Sequence, residues 1–198
     1  MSGTDLTIAE AKEQLRTHAR GLRAEAARAA GPQASVRLAA RLLAALPGLG
    51  IEKGGVVAAF WSLAGEIDLR PLIACLDGAG YEVALPVVVE KSAPLIFRRW
   101  TPETRLEQGH YGTSHPAPGA DEITPDAVIT PLLAFDGKGY RVGYGGGYYD
   151  RSLEGLRARG QVQAIGVGYA GQQVDAVPHD DKDQPLNAVV TDAALILF

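Results

Sequence analysis

Three consecutive glycines, Gly145 to Gly147, stand inside RVGYGGGYYDR, Arg141 to Arg151, after a long apolar run and before a helical pattern. Glycine loses more backbone freedom on ordering than any other residue, so three in a row need a use that side chains would obstruct. Without side chains the backbone can take positive φ, turn its N–H groups outward and let a large anion approach closely. The following YYDRSLEGLRARG carries Leu153 and Leu156 on one face and Arg157 and Arg159 late, which reads as a helix beginning near Tyr148. Its amino end would face the same anion. Before the loop, AVITPLLAF, Ala127 to Phe135, is a continuous apolar run of the kind that forms a strand buried on both faces. Strand, glycine loop and helix in that order make an anion cradle in an α/β protein. Arg141 and Arg151 add positive charge, and Asp150 can hold a divalent cation against a polyphosphate. A merely flexible loop would explain the glycines but not these neighbours. Neither G-x-x-x-x-G-K-[ST] nor G-x-G-x-x-G is present, so the stretch is neither a P-loop nor a dinucleotide fingerprint.

The remaining pattern repeats strand and helix. Thr7 and Glu10 form a T-x-x-E capping box that opens an Ala-rich helix to about Ala30, with Lys12, Arg16, Arg20 and Arg23 stacked along one face. A second helix is predicted from about Pro32 to Leu46, then strands at VVAAFW (Val56 to Trp61), YEVALPVV, LIFRRW (Leu95 to Trp100), QAIGVGYA (Gln163 to Ala170) and the terminal ALILF. Asp68 is expected to cap a helix starting at Leu69, on which Cys75 would be buried; Thr101 to Pro125 reads as a long loop. Glu66 falls between a strand end and a helix start, where α/β proteins place ligands. The expected architecture is a three-layer α/β domain, 1–198, with a mainly parallel sheet and helices on both sides. A length of 198 residues, 46% of them hydrophobic, suits one core of this kind rather than two. The net charge of −4 disfavours general binding to nucleic acid or anionic membrane. A single cysteine, no signal-peptide pattern and no apolar run of transmembrane length lead to the expectation of a cytoplasmic monomer with small-molecule partners.

As a whole, AFDGKGYRVGYGGGYYDR, Ala134 to Arg151, closely resembles the signature of the 5-formyltetrahydrofolate cyclo-ligases, or methenyltetrahydrofolate synthetases, and the resemblance extends from Lys12 to Thr191. It implies a sheet related to the sugar-phosphate isomerase and CoA-transferase-like folds. It also implies ATP-dependent conversion of 5-formyltetrahydrofolate to 5,10-methenyltetrahydrofolate with release of ADP and phosphate. In the family a K-x-x-x-R element on the first helix contacts ATP, and Lys12 and Arg16 match it, whereas Arg20 and Arg23 are left to the solvated face. Arg141, Val142, Gly143, Tyr144, Gly145, Gly146, Gly147, Tyr148 and Tyr149 would form the nucleotide loop. Glu66 would orient the folate, with Trp61 and Tyr148 or Tyr149 beside the pterin. Asp150 and Asp183 would hold Mg2+; Asp183 is the first aspartate of P-x-x-x-x-D-x-x-x-[DN]-x-[IV]-x-T. No residue is expected as a covalent nucleophile. Two positions depart from the pattern. His115, in GHYGTSHPAP, stands where the family shows glutamate, and Asn187 stands where aspartate is frequent. The competing readings are a nucleotide- or folate-binding relative without turnover or with another formylated substrate, and a sugar-phosphate-binding domain, which would need no ATP.

Overall fold

The computed structural model describes residues 6–198. Helix α1 (Ile8–Ala30) begins at the predicted capping box: the Thr7 amide donates to Glu10 Oε2 at 2.9 Å and the Glu10 amide to Thr7 Oγ1 at 3.3 Å. Helix α2 (Ala34–Ala45) leads to strand β1 (Val56–Ala58), helix α3 (Arg70–Gly78) and strands β2 (Glu82–Val87) and β3 (Ile96–Trp100). A small hairpin, β4 (Leu106–Gln108) and β5 (Ser114–Pro116), precedes β6 (Ala127–Pro131). A second hairpin, β7 (Ala134–Phe135) and β8 (Arg141–Val142), precedes α4 (Tyr148–Arg157), and β9 (Gln163–Gly168), β10 (Ala188–Thr191) and β11 (Leu195–Leu197) complete the chain.

Seven strands form one sheet in the order β11-β10-β9-β6-β1-β2-β3, parallel except for the two edge strands β3 and β11. Alternation along each strand sends Val57, Ile129, Ile165 and Val190 to the face covered by α2 and α3, through Leu38, Leu42, Leu72 and Leu76. It sends Ala58, Val128, Ala164 and Val189 to the other face, against Leu153 of α4. Both faces are therefore covered, which is why these strands read as uninterrupted apolar runs. The expected mainly parallel α/β sheet is observed.

Several local expectations are corrected. The run after β6 does not continue as one strand: β6 stops at Pro131, and Leu133 N–H donates to Val142 O at 2.8 Å as the chain folds into the β7/β8 hairpin. The loop after β3 contains the β4/β5 hairpin. AVVT, which follows a carboxylate-rich segment and is not among the expected strands, is the fully buried strand β10. Asp68 does not cap α3; its carboxylate takes the Arg70 amide and guanidinium, and the helix starts one residue later, with Pro71 in its first turn. Cys75 is exposed, because the inward stripe of α3 is Leu69, Leu72, Ile73 and Leu76.

The turn of the second hairpin depends on Asp136, only 1% exposed. Its Oδ1 accepts the Lys138 and Tyr140 amides at 2.9 and 3.0 Å, and Oδ2 accepts the Val177 amide at 3.0 Å. Asp136→Ala leaves three N–H groups without their acceptor, at about 3 kcal/mol or more. A fall in thermal midpoint of about 10 °C is expected in a calorimetric scan; a fall under about 3 °C would contradict this role.

Candidate active site

The chain runs from β1 to β2 through α3 on one face and from β6 to β9 through α4 on the other, while β1 and β6 lie side by side. Their carboxyl ends diverge, and such a switch point opens a crevice for ligands. The Glu66 loop leaves β1 there, and the β7/β8 hairpin with its glycine loop leaves β6 there. A cleft of about 340 Å3 at the opposite pole, lined by Glu52, Lys53, Asp126 and Gln163 among others, holds none of the residues singled out above.

Helix α1 turns Lys12, Leu15, Arg16, Ala19, Arg23 and Ala26 inward. Ala19 is fully buried, and a methyl group on Gly171 would lie 2.8 Å from Ala26, so the small residues let the helix approach closely while its cations reach the site. Lys12 pairs with Asp183 and, at 3.5 Å, with Asp180. Arg16 Nε donates to Gly143 O at 3.0 Å, and its Nη1 meets Glu13 at 2.8 Å. Arg20 is exposed as expected. Arg23 is not, and this corrects its assignment to the solvated face: its Nη1 donates to the Tyr144 hydroxyl, and its guanidinium lies over Gly65. The signal was present, since Arg23 is two turns beyond Arg16 and continues the Lys12–Arg16 stripe.

On the far side of the glycine loop, buried Arg141 donates from Nη1 to Gln184 O at 2.7 Å and from Nη2 to Asp150 Oδ1 at 2.9 Å. The Gln184 amide donates to the same Asp150 oxygen at 3.1 Å. Asp183 is the next residue back, its Oδ2 held by Lys12 and by the Asp180 amide at 2.7 Å. Gln184, which sequence reasoning did not single out, thus ties Asp150 to the segment that carries Asp183. Its side of the loop is fixed by Tyr140, whose ring stacks on His179 with centroids 3.5 Å apart. Among the described residues, Asp150 Oδ2 and Asp183 Oδ1 have no hydrogen-bond donor.

Gly145 (φ 96°) and Gly147 (φ 65°) occupy the left-handed region, as a cradle requires. A Cβ on Gly145 would lie 3.3 Å from the Arg16 guanidinium, and one on Gly146 2.7 Å from the Tyr148 ring. Arg151 supports the loop from behind, donating to Gly146 O at 2.8 Å with its guanidinium 5.1 Å from the Tyr148 ring centroid. Val142 is buried in β8, its carbonyl paired with Leu133.

Glu66 is bound from three directions. The Tyr144 hydroxyl donates to Oε1 at 2.6 Å, the Leu63 amide donates to Oε2 at 2.7 Å, and Arg23 stands behind Tyr144. Burial raises the Glu66 carboxyl above its ordinary range, against the opposing pull of Tyr144, Leu63 and Arg23. Burial, then the Glu66 charge, pushes the Tyr144 phenol up; the Tyr149 phenol is raised by the same two causes in the same order. Trp61, half-buried after β1, packs against the core below. The β4/β5 hairpin reaches across the sheet edge, and Tyr111 at its tip, itself at positive φ, lies 6.3 Å from Tyr148 between ring centroids. Sequence reasoning did not anticipate that contact. His115 sits inside this hairpin, with Nδ1 3.1 Å from Pro116 O and its ring against Gly109. Asn187 Oδ1 accepts the Ala164 amide at 2.8 Å and Arg157 at 3.1 Å, which ties β9 to β10.

The sequence profile of the 5-formyltetrahydrofolate cyclo-ligase family matches residues 8–192. A 5-formyltetrahydrofolate cyclo-ligase of Escherichia coli K12 is 39% identical over 140 residues, 68% of this chain and 76% of that protein. One from Haemophilus influenzae is 36% identical over 135 residues, 66% of this chain and 72% of its own. The solved 5,10-methenyltetrahydrofolate synthetase of Aquifex aeolicus superposes with a TM-score of 0.74 at 28% identity, covering 94% of this chain and 92% of that one. With the cation stripe, the glycine cradle and Glu66 converging at one switch point, and with a profile match across nearly the whole chain, the protein belongs to the 5-formyltetrahydrofolate cyclo-ligase family.

Proposed function

We propose that the glycine loop and the α1 cations hold ATP while Glu66 and the aromatic residues around it hold 5-formyltetrahydrofolate, and that the enzyme phosphorylates the formyl oxygen so that ring closure to 5,10-methenyltetrahydrofolate can follow. The observation that carries this reading is the division of the site. One side of the glycine loop joins the Arg141–Asp150–Gln184 cluster, and the other joins Glu66 through Tyr144. A formyl oxygen is a poor leaving group, and its phosphorylation lets the neighbouring folate nitrogen close the ring as phosphate departs. Such a transfer depends on positioning and charge neutralisation more than on a nucleophile from the protein.

In this reading Lys12, Arg16 and the amides of Gly145 to Gly147 bind phosphate oxygens, and Arg141 holds Asp150 in place. Mg2+ is commonly held by one or two carboxylates together with phosphate oxygens and water. The residues present fit that demand, since Asp150 and Asp183 each keep one oxygen without a protein donor among the described residues. Bound there, the ion would neutralise charge developing on the transferred group. Glu66 orients the folate by accepting its N–H donors, and Tyr148 and Tyr149 offer ring faces to the pterin. The position of His115 within the β4/β5 hairpin supports a covering role rather than proton transfer. A cytoplasmic, monomeric enzyme is part of the same proposal; among the described residues no helix is long and apolar enough to cross a membrane.

Lys12→Gln separates the two halves of the site. Calorimetric titration with a non-hydrolysable ATP analogue and Mg2+ should show affinity weakened about tenfold, as expected for losing one charged phosphate contact. Affinity for 5-formyltetrahydrofolate alone should stay within about twofold. Loss of folate affinity with nucleotide binding intact would contradict the assignment.

A further inference from the structure

We propose that Tyr144 couples the two substrates: it transmits the ordering of the glycine loop to Glu66, so that nucleotide and folate each tighten the binding of the other. This inference rests on the assignment of the loop to ATP and of Glu66 to folate. Tyr144 stands between Gly143 and Gly145 and is the one residue of 143–147 with a side chain. That side chain ends on Glu66 Oε1 at 2.6 Å. The same cation meets both backbone neighbours: Gly143 O accepts from Arg16 Nε at 3.0 Å, and the Arg16 guanidinium packs beside Gly145. Arg16 comes from the helix that also supplies Arg23, and Arg23 donates to the Tyr144 hydroxyl while covering Gly65, the residue before Glu66. A loop backbone fixed by phosphate therefore fixes the Tyr144 hydroxyl, and the hydroxyl fixes one carboxylate oxygen. The Leu63 amide fixes the other at 2.7 Å. Glu66 held at both oxygens presents its remaining lone pairs in one orientation, which favours a folate that needs that orientation.

Coupling between two binding sites is reciprocal. In the wild-type protein, a saturating non-hydrolysable ATP analogue with Mg2+ should tighten the Kd for 5-formyltetrahydrofolate by about tenfold, and saturating folate should tighten the Kd for the analogue by the same factor. Tyr144→Phe keeps the ring and removes the hydroxyl. It should reduce both factors to less than about twofold, whatever it does to the affinity for either ligand alone. A second readout comes from pH. Glu66 is faced by Tyr144 from the glycine loop, by Arg23 from α1, by Tyr149 from α4 and by the Leu63 amide of its own loop. Loss of the Tyr144 hydrogen bond, which favours the ionised carboxylate, should move the acid limb of folate binding to higher pH, a change that simple loosening of the loop would not produce. Full mutual tightening in Tyr144→Phe, or none in the wild-type protein, overturns the proposal. Failure of the underlying assignment looks different: Lys12→Gln would then leave analogue affinity intact, and Glu66→Gln would leave the affinity for folate alone intact.

Discussion

Asp150→Asn should lower turnover by about two orders of magnitude or more while the protein stays folded. The substitution keeps the shape of the side chain and its Oδ1, so the bonds from Arg141 Nη2 and the Gln184 amide, at 2.9 and 3.1 Å, can persist. What changes is the other oxygen, which has no donor among the described residues and becomes an amide N–H2 group. A carboxylate oxygen can bind a hard cation, and an amide nitrogen cannot replace it. Loss of charge neutralisation at a transferring phosphoryl group accounts for the size of the effect. Steady-state turnover with Mg-ATP and the thermal midpoint together check it. A folded variant with turnover within about fivefold of wild type would contradict the proposed role of Asp150 in holding Mg2+.

Glu66→Gln should reduce kcat/KM for the folate about 100-fold, because the amide presents an N–H group where the substrate needs an acceptor. Stability should change in the opposite sense. Burial raises the carboxyl of Glu66 in the folded protein. A raised folded-state value means that the stabilising contribution is complete below the unfolded pKa, about 4.3 for a glutamate, and is lost as pH rises through the folded value. At neutral pH the ionised carboxylate therefore costs stability relative to acid pH. Glu66→Gln removes this titration, so its thermal midpoint relative to wild type should rise between about pH 4 and pH 7. A difference independent of pH, or a folate KM within about threefold of wild type, would contradict the role assigned to Glu66.

Much of the fold could be read from residues whose pattern is local. Apolar runs such as QAIGVG, and the first three residues of VVAAFW, marked buried strands because both sheet faces are covered, although β1 ends at Ala58 rather than Trp61; Thr7 with Glu10 marked the start of α1 to the residue. The β7/β8 hairpin was hidden because PLLAF is apolar on both sides of the point where the strand leaves the sheet, at Pro131. Strand β10 was hidden by the carboxylates that precede it. Within the candidate site, the left-handed glycine turn was legible from composition, and the inward placement of Lys12 and Arg16 from helical spacing and resemblance. The meeting of Arg141, Asp150 and Gln184 was not, since it requires the hairpin, the start of α4 and the loop before β10 to converge. Arg23 was misread although it continues the Lys12–Arg16 stripe, because an arginine on a helix is normally solvated; its contacts with Tyr144 and Gly65 show what it faces.

The proposed reaction uses ATP and folate in one site to close the folate ring. The direct measurement combines protein, 5-formyltetrahydrofolate and Mg-ATP, follows the methenyl chromophore, and determines ADP and phosphate in the same samples. Methenyl product is expected only when ATP is present, with ADP and phosphate each formed in a one-to-one ratio to it. Product formed without ATP, or ATP hydrolysed without methenyl product, would contradict the proposed reaction.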